Sequence, residues 1–345
     1  MEKQITIIIP TYNMEEYIAK CLDSLIIPEL EQIEVLVVND GSKDRSSEIA
    51  HLYAQKYPCS IRVIDKNNGN YGSCINAALA EATGRYVKIL DADDTFDKVG
   101  FSLFVQRLLS IDVDVIISEY LHCTQNGQEI KPNNWYGNTP EYDRPLAPTE
   151  FFSLIKEENI QMHRLTYKLS FLRNIKYQQT EGISYTDTEW VYIPLFQCKS
   201  VICFDTIVYR YLCDREGQSM SPEKLQSSLK QLFQVLESIS LFINSDKLSG
   251  ASRNAFIKMA FSTFSFVYMK AFALWNPEIA GELEDFDSKL LSIFPEMYDN
   301  IGMLRFHPRC RFYHFQDIRR KGYPSNYNIP LWVKIMISAR NLLNI

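Results

Sequence analysis

Between residues 5 and 91, short apolar runs alternate with amphipathic stretches. ITIIIP (5–10), IEVLVVND (33–40), IRVID (61–65) and RYVKILD (85–91) are nearly continuous apolar runs rich in β-branched residues. That pattern predicts strands buried on both faces. Between them, Tyr17, Ile18, Cys21, Leu22 and Leu25 recur at helical spacing, with Asn13 read as the cap. SKDRSSEIAHLYAQKY (42–57) predicts a second helix, and SCINAALAEATG (73–84) a third, closed by Gly84 at its C′ position. Such alternation predicts a parallel sheet with helices on both faces. Right-handed crossovers bring the C-terminal ends of the strands to one edge, where open α/β sheets bind ligands. The segments delivered to that edge are PTYN, NDGS, DKNNGNYG and DADD, all polar and three of them carrying Asp.

Beyond Phe96 the rhythm loosens. A helix near 98–109 and a strand over 113–121 are expected, followed by an Asn-, Pro-, Gly- and Tyr-rich stretch, 125–147, that reads as a long functional loop. A helix-and-loop region (149–197) contains SYTDTEW, and strand-like VICFD and IVYRYL lead to DREGQSMSP (214–222). From Pro222 to about Asn300 the period is helical. The most apolar helical stretch, Ala255–Trp275, is interrupted by Lys258 and Lys270, which argues against a membrane span.

With 46% hydrophobic and 23% charged residues the chain has the composition of a globular protein with a substantial core. A net charge of −6 excludes nucleic acid as an electrostatic partner. The charge is uneven, however. Residues 305–345 carry eight Lys/Arg and one acid, Asp317, so this tail is +7 and the remaining chain is −13. A basic, aromatic tail that includes Trp332 suggests either a docked final helix, seated by Leu331, Ile335 and Leu342, or a contact with an anionic membrane surface. The eight Cys include no C-x-x-C pair, and MEKQITIIIP leads directly into a strand. Both features are expected of a cytoplasmic protein with reduced thiols.

LDADD (90–94) places Asp91, Asp93 and Asp94 at the end of the fourth strand. A solvated turn accounts for it. So does a divalent-metal site, since Asp91 and Asp93 would face one ligand if the segment were extended. It lacks the Gly and terminal Glu of an EF-hand loop. NDGS is equally a plain turn or a strand end that aims Asp40 at a ligand, and Tyr12 of PTYN stands where a base could stack. NNGNYG, with Asn68 and Gly69, combines Gly-rich backbone with a helix start suited to phosphate or sugar oxygens. In DREGQSM, Arg215 and Gln218 could serve a diphosphate or an acceptor sugar, or merely a polar loop. No His falls in a metal-like pair. His163 reads as a surface or core residue near the acceptor region.

Taken together, IIIPTYN, VVNDGSKDRS, NNGNYGSCINAAL and ATGRYVKILDADD, in this order, resemble the family 2 glycosyltransferases of GT-A fold. The resemblance spans residues 4–97, with a second zone over EGISYTDTEWVYIPL (181–195) and YRYLCDREGQSM (209–220). It implies an α/β GT-A domain over residues 1–220, made of a nucleotide-sugar half (1–97) and an acceptor half (98–220). A helical domain (221–345) with the basic tail 305–345 would follow. It implies an inverting enzyme that moves a sugar from a nucleotide-diphosphate donor, first a UDP-sugar, to a hydroxyl of a glycan or lipid-linked acceptor. Surface polysaccharide synthesis at the inner face of the cell membrane is the implied setting. Thr11, Tyr12, Asp40, Asn68, Gly69, Asp91 and Asp93 would bind the donor. Asp91 and Asp93, joined by Asp94, would hold Mn²⁺ or Mg²⁺. Asp187 matches the catalytic base, with Glu189 as second choice, although the acidic residue expected before it is Thr186. A nucleotidyltransferase and a catalytically inactive nucleotide-sugar-binding protein are the competing classes. The first usually needs a basic, Gly-rich loop after the first strand, which PTYNMEEY does not supply.

Overall fold

The computed structural model describes residues 2–132, 136–155, 160–213, 222–243, 248, 250–304 and 315–325. The chain divides into two compact units, residues 1–218 and 219–345.

In the first unit, β1 (Ile5–Thr11), α1 (Ile18–Ser24), β2 (Ile33–Asn39), α2 (Ser46–Lys56), β3 (Ile61–Asp65), α3 (Asn70–Glu81) and β4 (Tyr86–Ile89) follow one another in the expected alternation. Then come β5 (Thr95–Phe96), α4 (Lys98–Leu108), β6 (Val115–Thr124), β7 (Glu129–Ile130), β8 (Pro145–Leu146), α5 (Pro148–Leu154), β9 (Leu165–Lys168), α6 (Leu169–Asn174), α7 (Asp187–Leu195) and β10 (Val201–Cys213). One sheet runs β3-β2-β1-β4-β9-β6-β10-β5, with β7 paired to β6 and β8 to β10. The long ladders, β1 with β2 and β4, β2 with β3, and β6 with β10, are parallel. The antiparallel pairings are two or three residues long, and β9 inserts that way between β4 and β6.

Every residue of β2 is buried, and so is all of β1 except Pro10, as their apolar composition requires. Alternation sends Ile5, Ile7, Ile9, Val35 and Val37 into one core with Cys21 and Leu22 of α1, Ala50 of α2 and Phe101 and Phe104 of α4. Ile8, Leu36 and Val38 are buried outside that cluster, and Cys74, Ile75 and Ala78 of α3 are buried too. Register sets Thr11, Asn39 and Asp65 side by side at the C-terminal edge.

Several local expectations change. Asn13 does not cap α1, which starts at Ile18. Its φ is 53° and its Oδ1 accepts the Lys43 N–H at 2.8 Å, tying the first loop to the second. Helix α2 starts only at Ser46, whose N–H donates to Asp44 at 3.0 Å. Helix α3 starts at Asn70, inside the segment read as loop. Gly84 is no left-handed terminator. It lies so close to β1 that a Cβ would stand 2.4 Å from the Thr6 nitrogen. VICFD and IVYRYL form one strand, β10, irregular near Ile207.

The second unit contains α8 (Pro222–Ile243), α9 (Gly250–Ala273), α10 (Pro277–Ile293), α11 (Pro295–Gly302) and α12 (Phe315–Arg320). Asn276 caps α10 by accepting the Ile279 N–H at 3.0 Å. The core contains Phe233 stacked on Phe286 at 5.0 Å, together with Phe264, Tyr268 and Phe294. The buried Asp287 accepts from Tyr268, from Tyr323 and from Arg319, whose Nε and a terminal nitrogen lie at 2.9 and 2.7 Å. Among the described residues no helix is long and apolar enough to cross a membrane, and none of the seven described cysteines is in a disulfide.

Candidate functional site

The first three loops of the edge form one bonded piece. Asp40, buried at the end of β2, accepts from Lys66 Nζ at 2.7 Å and from the Gly69 and Asn70 N–H groups at 2.9 Å each. Its carbonyl accepts from Asn68 Nδ2 at 3.0 Å, and its N–H donates to the Thr11 carbonyl at 2.8 Å. Both carboxylate oxygens therefore hold the start of α3 in place. The buried Thr11 bonds locally, through its hydroxyl to the Ile9 carbonyl. Tyr12 is 46% exposed, the apolar face of this rim.

LDADD folds as a turn. The Asp94 N–H donates to the Asp91 carbonyl at 2.9 Å, so the segment is not extended and the alternation that paired Asp91 with Asp93 does not apply. The turn pairs Asp91 with Asp94 instead. Oxygens of Asp91 and Asp94 and a ring nitrogen of His163 lie within 4.8 Å of one another, while Asp93, half-buried, stands outside that group. The buried Asp94 accepts from Tyr209 Oη at 2.6 Å and the Leu212 N–H at 2.7 Å. Burial, then the charges of Asp93 and Asp91, push its carboxyl well above the usual range. Asp91 Oδ1 accepts from Tyr71 Oη at 2.9 Å.

His163 precedes β9 and was not among the residues singled out for the site. Insertion of β9 beside β4 carries it there, and Lys88 in β4 fixes its backbone by donating to the carbonyls of His163 (2.7 Å) and Leu165 (3.2 Å). Tyr209, Tyr211 and Tyr120 surround the ring at 4.6, 4.7 and 5.1 Å. Burial, followed by the charges of Lys88, His122 and Arg164, lowers its pKa to about 3, so the imidazole is neutral at physiological pH. Its buried Nδ1 has no hydrogen-bond partner. Two carboxylates and a neutral imidazole are a donor set that a divalent cation such as Mn²⁺ accepts.

Helix α7 brings the second pair of acids. Asp187 is its first residue, and burial, with Glu189's charge adding to it, raises the carboxyl above its ordinary value despite N–H groups at the helix start. Asp187 and Asp91 both act electrostatically on Tyr71, which places the two acids in one neighbourhood. Glu189 is fully buried, and both its oxygens are engaged by Thr180, at 2.8 Å from the N–H and 2.7 Å from the hydroxyl. Tyr185, just before the helix, has φ 67°, a strained value for a bulky residue. Arg215 and Gln218 lie outside the described residues.

Residues 6–176 match the family model described as Glycosyl transferase family 2. The chain belongs to that family. It is 40% identical over 181 residues to the uncharacterized glycosyltransferase MG025 of Mycoplasma genitalium, covering 48% of this chain and 58% of that protein. It is 38% identical over 112 residues to the uncharacterized glycosyltransferase EpsJ of Bacillus subtilis, 32% of each. Against poly(ribitol-phosphate) β-N-acetylglucosaminyltransferase TarS of Staphylococcus aureus it is 24% identical over 333 residues, 91% of this chain and 54% of that protein. Each match thus spans less than two thirds of the relative's length. The crystal structure of S. aureus TarS 1–349 in complex with UDP-GlcNAc superposes with a TM-score of 0.70 at 21% identity, covering 99% of this chain and 92% of that one. The fold is accordingly the α/β GT-A fold with a helical C-terminal region, and the nucleotidyltransferase reading is set aside.

Proposed function

We propose that this glycosyltransferase is an inverting enzyme that moves a sugar from a UDP-sugar to a hydroxyl of a glycan or lipid-linked acceptor in surface polysaccharide synthesis. The observation that carries the reading is the proximity of Tyr71 to two acidic groups: its hydroxyl bonds Asp91, which lies beside Asp94 and His163, and it feels the charge of Asp187. One group suits a leaving diphosphate and the other an incoming hydroxyl. TarS, whose name gives a polyol-phosphate acceptor and whose structure holds UDP-GlcNAc, makes that donor the first to test.

In this reading Asp187 takes the proton of the acceptor hydroxyl while the oxygen attacks the anomeric carbon. The bond from that carbon to the diphosphate breaks on the opposite face. Glu189 is set aside as base because Thr180 engages both its oxygens. Asp91, Asp94 and His163 would hold Mn²⁺ or Mg²⁺, with Asp93 adjacent, and the cation supplies charge stabilisation to the departing diphosphate. Tyr12 stacks on the base, and the piece built by Thr11, Asp40, Asn68 and Gly69 forms the donor cradle. Arg215 and Gln218 serve the diphosphate or acceptor, and the basic tail brings the enzyme to the inner membrane face.

Incubation with UDP-sugars and Mn²⁺, with released UDP as readout, tests the reading. Release that needs the cation is expected, and transfer to a glycan acceptor should invert the anomeric centre. Tight UDP binding with no turnover on any donor would favour the inactive binding protein instead.

A further inference from the structure

Tyr71 lies within NNGNYG, where only Asn68 and Gly69 were given roles, yet its hydroxyl touches two of the segments that build the site. Tyr71 Oη donates to Asp91 Oδ1 at 2.9 Å and lies 3.5 Å from the sulfur of Met162, the neighbour of His163. The ring is fixed from both sides along the chain. Before it, Asn70 has φ 65° and its N–H is held by Asp40 at 2.9 Å. After it, Gly72 packs so tightly on the 179–180 segment that a Cβ there would stand 2.1 Å from the Thr180 carbonyl oxygen. The phenol is thus delivered by rigid backbone rather than by a mobile loop.

The position has an electrostatic purpose. Asp91 and Asp94 repel each other across less than 4.8 Å. Asp94 is restrained by Tyr209 and Leu212. The phenol of Tyr71 holds Asp91 as that of Tyr209 holds Asp94. We propose that Tyr71 is a positioning residue for the divalent cation, its hydroxyl fixing the Asp91 carboxylate so that Asp91, Asp94 and His163 present their donor atoms together. This rests on the metal-binding part of the proposed function. A hydrogen-bond partner that orients a ligating group typically changes metal affinity 10–100-fold when removed.

The test is Tyr71→Phe, which deletes one hydroxyl and keeps the ring. Free Mn²⁺ is followed by electron paramagnetic resonance during titration of the full chain in saturating UDP. Binding about tenfold weaker or more is expected, with metal-free UDP affinity by calorimetry within about twofold of wild type. Tyr53→Phe is the control: it removes a comparable phenol-to-carboxylate bond, 2.7 Å to Asp23, and should leave Mn²⁺ affinity unchanged. The proposal is overturned if Tyr71→Phe binds Mn²⁺ as wild type does or if wild type binds none. A parallel loss of metal-free UDP affinity, which marks general damage, also overturns it. A wild type that binds UDP and Mn²⁺ but releases no UDP from any donor would sink the transferase reading and leave this comparison standing.

Discussion

Asp187 feels two opposed effects. The N-terminus of α7 favours its charge, but burial outweighs this and raises the carboxyl above the ordinary 3.8. A base must be unprotonated to act, so kcat/KM should fall as pH drops through the raised value, with an acid limb above that of an ordinary aspartate. The native state also holds this proton more tightly than the unfolded chain, so this group favours folding increasingly as pH falls from above its folded value towards its unfolded one. Asp187→Asn should reduce transfer by about 10²–10⁴-fold, leave UDP affinity by calorimetry unchanged and remove that pH-dependent component of stability. Near wild-type transfer would refute the base assignment. Glu189→Gln is expected to behave differently. It replaces a charged acceptor by a neutral amide in both Thr180 bonds, costing about 1–3 kcal/mol in thermal melts, with a smaller loss of transfer than Asp187→Asn. The sequence offered both acids as candidates. What separates them is the contact with Thr180, a nine-residue separation that no motif encodes.

Among the elements, those with a clear period were legible: β1 to β4, α4 and the long helices of the second unit follow directly from apolar spacing. Strand β9 was not legible. It is four residues long, LTYK, and its partners β4 and β6 are distant in sequence. That gap hid His163, which the insertion of β9 beside β4 brings to the site. LDADD stayed open between a turn and an extended strand end for a related reason, since both share the same residues and only the Asp94-to-Asp91 bond distinguishes them. Helix α3 carries the sharpest test at this scale. Gly72→Ala drives a methyl group into the Thr180 carbonyl, against backbone that cannot yield cheaply. The expected cost is about 2–3 kcal/mol, a fall of roughly 5–10 °C in melting temperature. Because the clash strikes the segment that Glu189 holds and the residue after Tyr71, Mn²⁺ affinity should fall as well. A variant that melts like wild type would show that α3 and the 179–180 segment are not packed as described.

For the whole molecule, the basic tail no longer acts as one block. Phe315 and Ile318 of α12 are buried, and Arg319 is committed to Asp287 and to the Tyr298 carbonyl at 2.7 Å, its guanidinium 3.5 Å from the Tyr298 ring centre. Part of the tail is therefore a folded piece of the helical unit, and Arg319 cannot also face a membrane. Arg320 and Lys321 are exposed. An anionic bilayer attracts each nearby cation by about 1 kcal/mol, roughly fivefold in partitioning, and a Debye length of about 8 Å at physiological salt weakens the attraction. Arg320→Gln with Lys321→Gln should thus lower co-sedimentation of the full chain with phosphatidylglycerol vesicles by about 25-fold at low salt. The difference should shrink as salt is added, and the melting temperature should hold. Arg319→Gln would be the wrong variant, because it strips a buried aspartate of its ion pair and costs folding stability before any membrane effect is read. Equal pelleting of wild type and the double variant at low salt would remove these two cations from the membrane proposal and leave α12 with a purely structural role.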